Sequence, residues 1–366
     1  MIFMNDFKAE PTALKEEMLV AVSRVIDSGW YVLGKEVESF EQAWAGVCGV
    51  PHAVGVGNGM DAIEITLRSL DIEPGDEVIT TPMTAFATVL AILRAGAIPV
   101  LADICADTAL LNSESVVRCV SPKTKAIILV HLYGQIRDMN AWLRLCELHN
   151  IHLIEDCAQS HLASWQGRVA GSFGKEGAYS FYPTKNLGAL GDAGMLITKD
   201  YALAERASRL RNYGQSVRYH HPRIGMNSRL DEIHAAMLQV RLKWLPEFTL
   251  RRQEIAQKYM QGIQHDLVRK LAAPQEAAAH VYHLYVIACV ERDALQKHLE
   301  SCGVQTHCHY PVPVHHQESC KAIRRDPQGL AASELHAMIC LSLPCHPQMS
   351  DEDVEVVINS VNEFKG

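Results

Sequence analysis

Apolar residues recur at helical spacing from the start of the chain: Leu14, Met18, Val22 and Val25, then Val37, Phe40, Trp44 and Val47. Each follows the last by three or four positions, which predicts two amphipathic helices. A short apolar run, HAVGV, then meets a glycine-rich bend and a helix whose buried stripe reads Met60, Ile63, Leu67 and Leu70. The same order of strand, loop and helix repeats through DEVITT, a helix carrying Leu90 and Leu93, IPVLAD, KAIILVHL, a helix with Met139, Trp142 and Cys146, and IHLIED. Runs that are apolar throughout, alternating with helices, predict doubly buried strands of a mostly parallel sheet with helices on both faces.

The texture changes near Pro246, where a long charged helix from about Glu247 to Gln264 reads as a connector. Beyond it come VYHLYVIACV, a helix from Arg292 to Cys302, a strand VQTHCHY, and a last helix opened by Ser350 with Asp353 three residues later, the signature of a capping box. The expected organisation is a large α/β domain over 1–245 and a connector helix with a small α+β domain over 246–366. The N-terminal segment is a candidate to pack on the small domain. There is no internal repeat and no low-complexity segment.

Composition narrows the function. Forty-two acidic against 34 basic side chains give a formal charge of -8, which opposes a nonspecific nucleic-acid or anionic-membrane role. No stretch approaches the roughly 18 uncharged apolar residues of a membrane span, and the first residues carry acids without an apolar core, so a cytoplasmic location is expected. The 11 cysteines show no C-x-x-C spacing and read as reduced core thiols. His307, His309, His315 and His316 crowd into HCHYPVPVHH, but prolines interrupt the segment and no helical H-x-x-x-H register exists, so no metal site is expected.

Three segments carry candidate chemistry. Asp156 closes the apolar run IHLIED, at the carboxyl end of a strand, the edge where open α/β sheets bind ligands. Taken alone it reads as a capping or ion-paired aspartate; in a pyridoxal-phosphate enzyme its partner is the pyridine nitrogen, which an adjacent anion keeps protonated. Lys185 follows Pro183 in SFYPTKNLGALGDAG, before Gly188, Gly191 and Gly194. An arbitrary loop lysine is a surface group, yet one partly buried beside a cationic ring loses its proton near neutrality and can form a Schiff base. The bend GVGNGMDA suits a phosphate at a helix N-terminus, and its glycines at Gly55, Gly57 and Gly59 do not match the dinucleotide fingerprint. The order is phosphate turn, aspartate strand, lysine loop.

Together with DSGWYVLGKEVESFE, PGDEVITT, VHLYGQIRDM, IEDCAQSH, LRNYG, NSRLDEIHAA, HVYHLYVI and HYPVPVH, these segments resemble the DegT/DnrJ/EryC1/StrS family of sugar aminotransferases along the whole chain. The resemblance implies the fold-type I pyridoxal-phosphate aminotransferase fold and a homodimer with active sites at the subunit interface. It assigns Lys185 the covalent link to the cofactor, Asp156 the pyridine nitrogen, Gln159 the ring hydroxyl, and Ser180 with the amides of Gly59 and Met60 the phosphate. Asn227 would reach the partner subunit's phosphate. Met60 stands where many relatives have threonine, and Leu162 where glycine is common. Ala85 stands near the usual position of an aromatic over the ring, which leaves Phe86 or His161 for that place.

HLYGQ, EDCAQSH and SFYPTKNLGALGD are similar to the branch acting on the 3-keto group of dTDP-linked 6-deoxyhexoses. The implied reaction takes an amino group from glutamate and gives a dTDP-3-amino-3,6-dideoxyhexose, in the setting of cell-surface polysaccharide or antibiotic sugar synthesis. Tyr182, Arg229, His309 and Tyr310 are the candidates for holding the nucleotide sugar, each also readable as ordinary packing or a surface ion pair. The alternatives are a 4-keto or UDP-linked sugar and a non-catalytic cofactor-binding regulator. A family dehydratase, with histidine in place of the lysine, is opposed by Lys185.

Overall fold

The apolar runs become strands of one eight-stranded sheet in a computed structural model that describes residues 1–366. In chain order the strands are β1 (His52–Val56), β2 (Glu77–Thr80), β3 (Ile98–Leu101), β4 (Thr124–Val130), β5 (His152–Asp156), a two-stranded ribbon of β6 (Ser164–Trp165) and β7 (Arg168–Val169), β8 (Glu176–Ser180), β9 (Gly194–Thr198), β10 (Val268–Lys270), β11 (Tyr285–Cys289), β12 (Arg324–Arg325) and β13 (Cys340–Leu343). The large sheet runs β1-β9-β8-β5-β4-β2-β3-β12, and β10-β11-β13 form a separate antiparallel sheet. From β8 to β12 every pairing is parallel, while β9 runs antiparallel to both neighbours.

Alternation along the strands divides the core. Ile127, Leu129 and Leu153 pack on one face with Val37, Phe40, Trp44 and Tyr179. Ile128, Val130 and Ile154 pack on the other with Ile63, Leu67 and Ala178. The period of two sends successive side chains to opposite faces, so both faces are apolar and both are covered by helices. Each such buried side chain stabilises the fold by roughly 1.5–3 kcal/mol. The small sheet has its own core, in which Tyr285 and Ile287 meet Leu295, Leu299 and Val357.

The predicted helices form over Thr12–Ser28, Lys35–Cys48 and Gly59–Ser69, and the last, Asp351–Asn362, carries both bonds of the predicted capping box. Two expectations are corrected. The connector helix runs from Glu232 to Gly262 with Pro246 inside it, and does not begin at Glu247. Packing outweighs the proline: Ala236, Met237 and Val240 bury against Leu14, Met18 and Val25 of the first helix, and Arg241 makes a buried bidentate pair with Glu10. The segment VQTHCHY forms no strand, because its backbone bonds are split between single bridges to Ile2 on one side and Ser342 on the other. The first of these bridges ties the N-terminal segment to Val304, which packs in the core of the small sheet.

Candidate active site

Seven strands of the large sheet, all but β9, end at one edge, and β9 starts there, with Gly194 paired to both Val56 and Ser180. Asp156 lies on this edge and is buried. Its Oδ2 accepts from the Thr88 hydroxyl at 2.8 Å and its Oδ1 from the Ala158 amide at 3.1 Å. Burial raises its carboxyl above the ordinary 3.8, against the pull of those two donors and of the charges on Lys185 and His131.

Lys185 stands in the turn after β8, with its amide donating to the carbonyl of Tyr182 at 2.8 Å. The turn is tight enough that a Cβ at Gly188 would lie 2.3 Å from the Pro183 oxygen. The lysine is half-buried, and burial lowers its ammonium from 10.5 to about 8 although the charge of Asp156 opposes the change. A nucleophilic amine is therefore available close to neutral pH.

At the other end of the site the helix Gly59–Ser69 begins against Ser180. A Cβ on Gly59 would approach the Ser180 Cβ to 2.6 Å, so only glycine allows this contact. Asn58 caps the helix by accepting from the Asp61 amide at 2.8 Å. The amides of Gly59 and Met60, at the first two helical positions, are left for an external acceptor, and the helix dipole favours an anion there.

Gln159 is fixed from both sides. Its Oε1 accepts from the Tyr133 amide at 2.6 Å and its Nε2 donates to the Tyr310 hydroxyl at 3.2 Å. Tyr133 holds a left-handed φ of 64° and is sealed in the core, where its hydroxyl bonds the His309 carbonyl and His336. Beside Asp156, Glu155 points to the opposite face and accepts from the amides of Gly171, Phe173 and Gly174 and from His131. Burial would raise the Glu155 carboxyl, yet His131 and the Gly174 and Gly171 amides hold it below 4.5.

The sequence candidates thus separate. Lys185, Asp156, Gln159, Ser180, Gly59 and Met60 gather at the strand edge, and Tyr310 reaches it through Gln159. His309 is engaged with Ser342 at 2.8 Å. Of the two candidate aromatics, His161 is completely buried among Trp44, Tyr179 and Phe181, with ring centroids 5.5–5.7 Å away, and offers no open face. Phe86, 39% exposed, opens the helix that carries Thr88. Leu162 takes the left-handed φ of 71° that a glycine would adopt without strain. Arg229 lies over the Tyr213 ring at 5.5 Å, while Tyr182 and Asn227 are exposed. His315 and His316 share one oxygen of Glu334, at 3.0 and 3.5 Å. Sequence reasoning missed Thr88 and Tyr133; the motif HLYGQ contains the second.

The sequence model of the DegT/DnrJ/EryC1/StrS aminotransferase family matches residues 12–362. The chain belongs to that family. Among its relatives, dTDP-3-amino-3,4,6-trideoxy-alpha-D-glucose transaminase of Streptomyces venezuelae is 41% identical over 98% of this chain and 95% of its own. The dTDP-3-amino-3,6-dideoxy-alpha-D-galactopyranose transaminase of Aneurinibacillus thermoaerophilus is 40% identical over 100% and 99%. The crystal structure of S. venezuelae DesV in complex with a ketimine intermediate superposes with a TM-score of 0.95 at 40% identity, covering 99% of this chain and 98% of that one. As a family member the chain has the fold-type I architecture. No helix is long and apolar enough to cross a membrane.

Proposed function

We propose that the protein is a pyridoxal-phosphate-dependent aminotransferase that moves an amino group from L-glutamate to the C-3 keto group of a dTDP-3-keto-6-deoxyhexose. The product is a dTDP-3-amino-3,6-dideoxyhexose. The observation that carries this reading is the pairing of a lysine of lowered pKa with a buried carboxylate at one strand edge, in a chain about 40% identical throughout to dTDP-sugar 3-transaminases.

The residues fit the cofactor. Lys185 supplies the amine for its aldehyde, and Asp156 an anion for its ring nitrogen. The amides of Gly59 and Met60 and the Ser180 hydroxyl form an anion cradle that a Cβ at Gly59 would fill. Asn227, which is exposed, is assigned to the phosphate of a neighbouring subunit, and Phe86 is the aromatic with an open face.

When bound, the cofactor supplies an electron-withdrawing ring that stabilises negative charge at the donor Cα. Lys185, half neutral near pH 8, would carry the proton from the donor Cα to the cofactor in the first half-reaction and from the cofactor to the sugar carbon in the second, and its tuning matches general base work close to neutrality. Thr88 and the Ala158 amide favour the ionised form of Asp156 against its burial. Gln159, held by Tyr133 and Tyr310, presents a fixed amide to the cofactor hydroxyl. A homodimer is part of the reading, and the exposed apolar side chains of Trp30, Tyr219 and Ile224 are available to a second subunit. Tyr182, whose side chain is exposed, and Arg229 are assigned to the nucleotide end of the substrate, where a diphosphate calls for an arginine.

The test is parallel incubation of the enzyme and glutamate with 3-keto and 4-keto dTDP-6-deoxyhexoses, with products identified by mass spectrometry and regiochemistry by NMR. A 3-amino sugar is expected. A 4-amino sugar alone would contradict the regiochemistry.

A further inference from the structure

Asn186 directly follows Lys185, and its neighbours fix the direction of its amide. Nδ2 donates to the Val281 carbonyl at 3.1 Å, which turns Oδ1 toward Nδ1 of His283, also 3.1 Å away. An amide oxygen only accepts, so Nδ1 of His283 carries the proton. The ring is neutral: burial, then the charges of Lys185 and Arg252 and the neighbouring His309 and His161, push its pKa well below 6.5. Nε2 is therefore a bare lone pair. It makes no hydrogen bond within the protein and is not sealed from the surroundings.

Those surroundings are a cleft of about 260 Å³ shared by His283, Thr184, Gln305, His307, His309 and Asn5. Thr184 precedes the lysine, and the Lys185 charge acts on two lining residues, His283 and His309. Asn5 comes from the N-terminal segment, which is fastened by Ile2 N–H to Gly303 at 2.7 Å, Gln305 N–H to Ile2 at 2.9 Å and Met4 N–H to the Gln305 side chain at 2.9 Å. The volume is below the roughly 300–1,000 Å³ of pockets for whole drug-sized ligands, and suits one ring of a substrate more than a complete nucleotide sugar.

We propose that His283 is a specificity-determining residue of the sugar half-reaction, its Nε2 accepting the O–H of a ring hydroxyl in this cleft. The proposal rests on the aminotransferase reading and deepens it. A fixed lone pair welcomes a hydroxyl and disfavours the carboxylates of glutamate, so the two half-reactions depend on it unequally. A site built to bond a substrate hydroxyl also discriminates strongly against an analogue that lacks it.

Two variants test this. In His283→Phe the ring shape is kept, while the Nε2 acceptor and the Nδ1–H bond to Asn186 are both lost; kcat/KM for the keto sugar is expected to fall roughly 10–100-fold, well beyond any loss in the single-turnover reaction with glutamate. His283→Gln, which restores an acceptor oxygen, is expected to recover most of the loss. Nitrogen-15 NMR of histidine-labelled protein is expected to show the Nδ1–H tautomer and an Nε2 signal that moves when the nucleotide sugar is added. Equal loss in both half-reactions, no rescue by glutamine, or a protonated Nε2 would overturn the assignment. A wild-type protein inert toward glutamate would defeat the aminotransferase reading instead, and the tautomer and the Nε2 shift would still decide His283.

Discussion

The Thr88 hydroxyl donates to Oδ2 of Asp156 at 2.8 Å, and a second hydroxyl, that of Thr84, lies 2.8 Å behind it. The carboxylate is therefore oriented by the first turn of the helix Phe86–Arg94 as well as by its own strand. A hydrogen bond to a charged acceptor contributes about 1.5–3 kcal/mol. Thr88→Val is isosteric, and removing that bond is expected to weaken cofactor binding roughly 10–100-fold, read by spectroscopic titration of the apoprotein.

The lowered pKa of Lys185 makes reconstitution pH-dependent. Only the free amine attacks an aldehyde, so the rate at which apoprotein takes up cofactor is expected to rise with a midpoint near pH 8, not near 10.5. The same shift affects stability. Below about pH 8 the ammonium is buried at a cost that the unfolded chain does not bear, and the cost fades as pH rises toward 10.5. Lys185→Met apoprotein is expected to melt above wild-type apoprotein at pH 7, with the difference shrinking by pH 10.

Glu176 is fully buried on β8, with Oε1 accepting from Ser69 at 2.6 Å and Oε2 without a partner. Burial raises its carboxyl from 4.5 to about 7. The fold thus favours the protonated form, and this contribution, complete below pH 4.5, is lost as pH rises to about 7. Glu176→Gln mimics the neutral acid. Denaturant titration is expected to find the variant more stable than wild type at pH 8 by on the order of 2–3 kcal/mol, and nearly equal to it at pH 4.5.

Most elements were legible because they are local. The stripe Leu14, Met18, Val25 and the apolar run of β5 each encode their element in a single window, and Asp156 and Lys185 stand at strand ends that the runs themselves mark. What the sequence concealed is non-local. Pro246 looked like a boundary because the partners that override it, Leu14 and Met18 of the first helix, lie more than 200 positions earlier. The single rungs of VQTHCHY depend on Ile2 and Ser342. Thr88 is one threonine among several until folding sets it on Asp156, 68 positions away. His161 looked like a ring-stacking candidate because nothing in IEDCAQSH reveals that Trp44 covers it.

The central claim is that the cofactor is joined to Lys185 with its ring against Asp156. Borohydride reduction of the holoenzyme, followed by digestion and peptide mass spectrometry, tests it most directly. The account predicts one pyridoxyl-modified peptide, carrying the mass on Lys185 and missing from Lys185→Met. Modification of a different lysine, with Lys185 unlabelled, would contradict it.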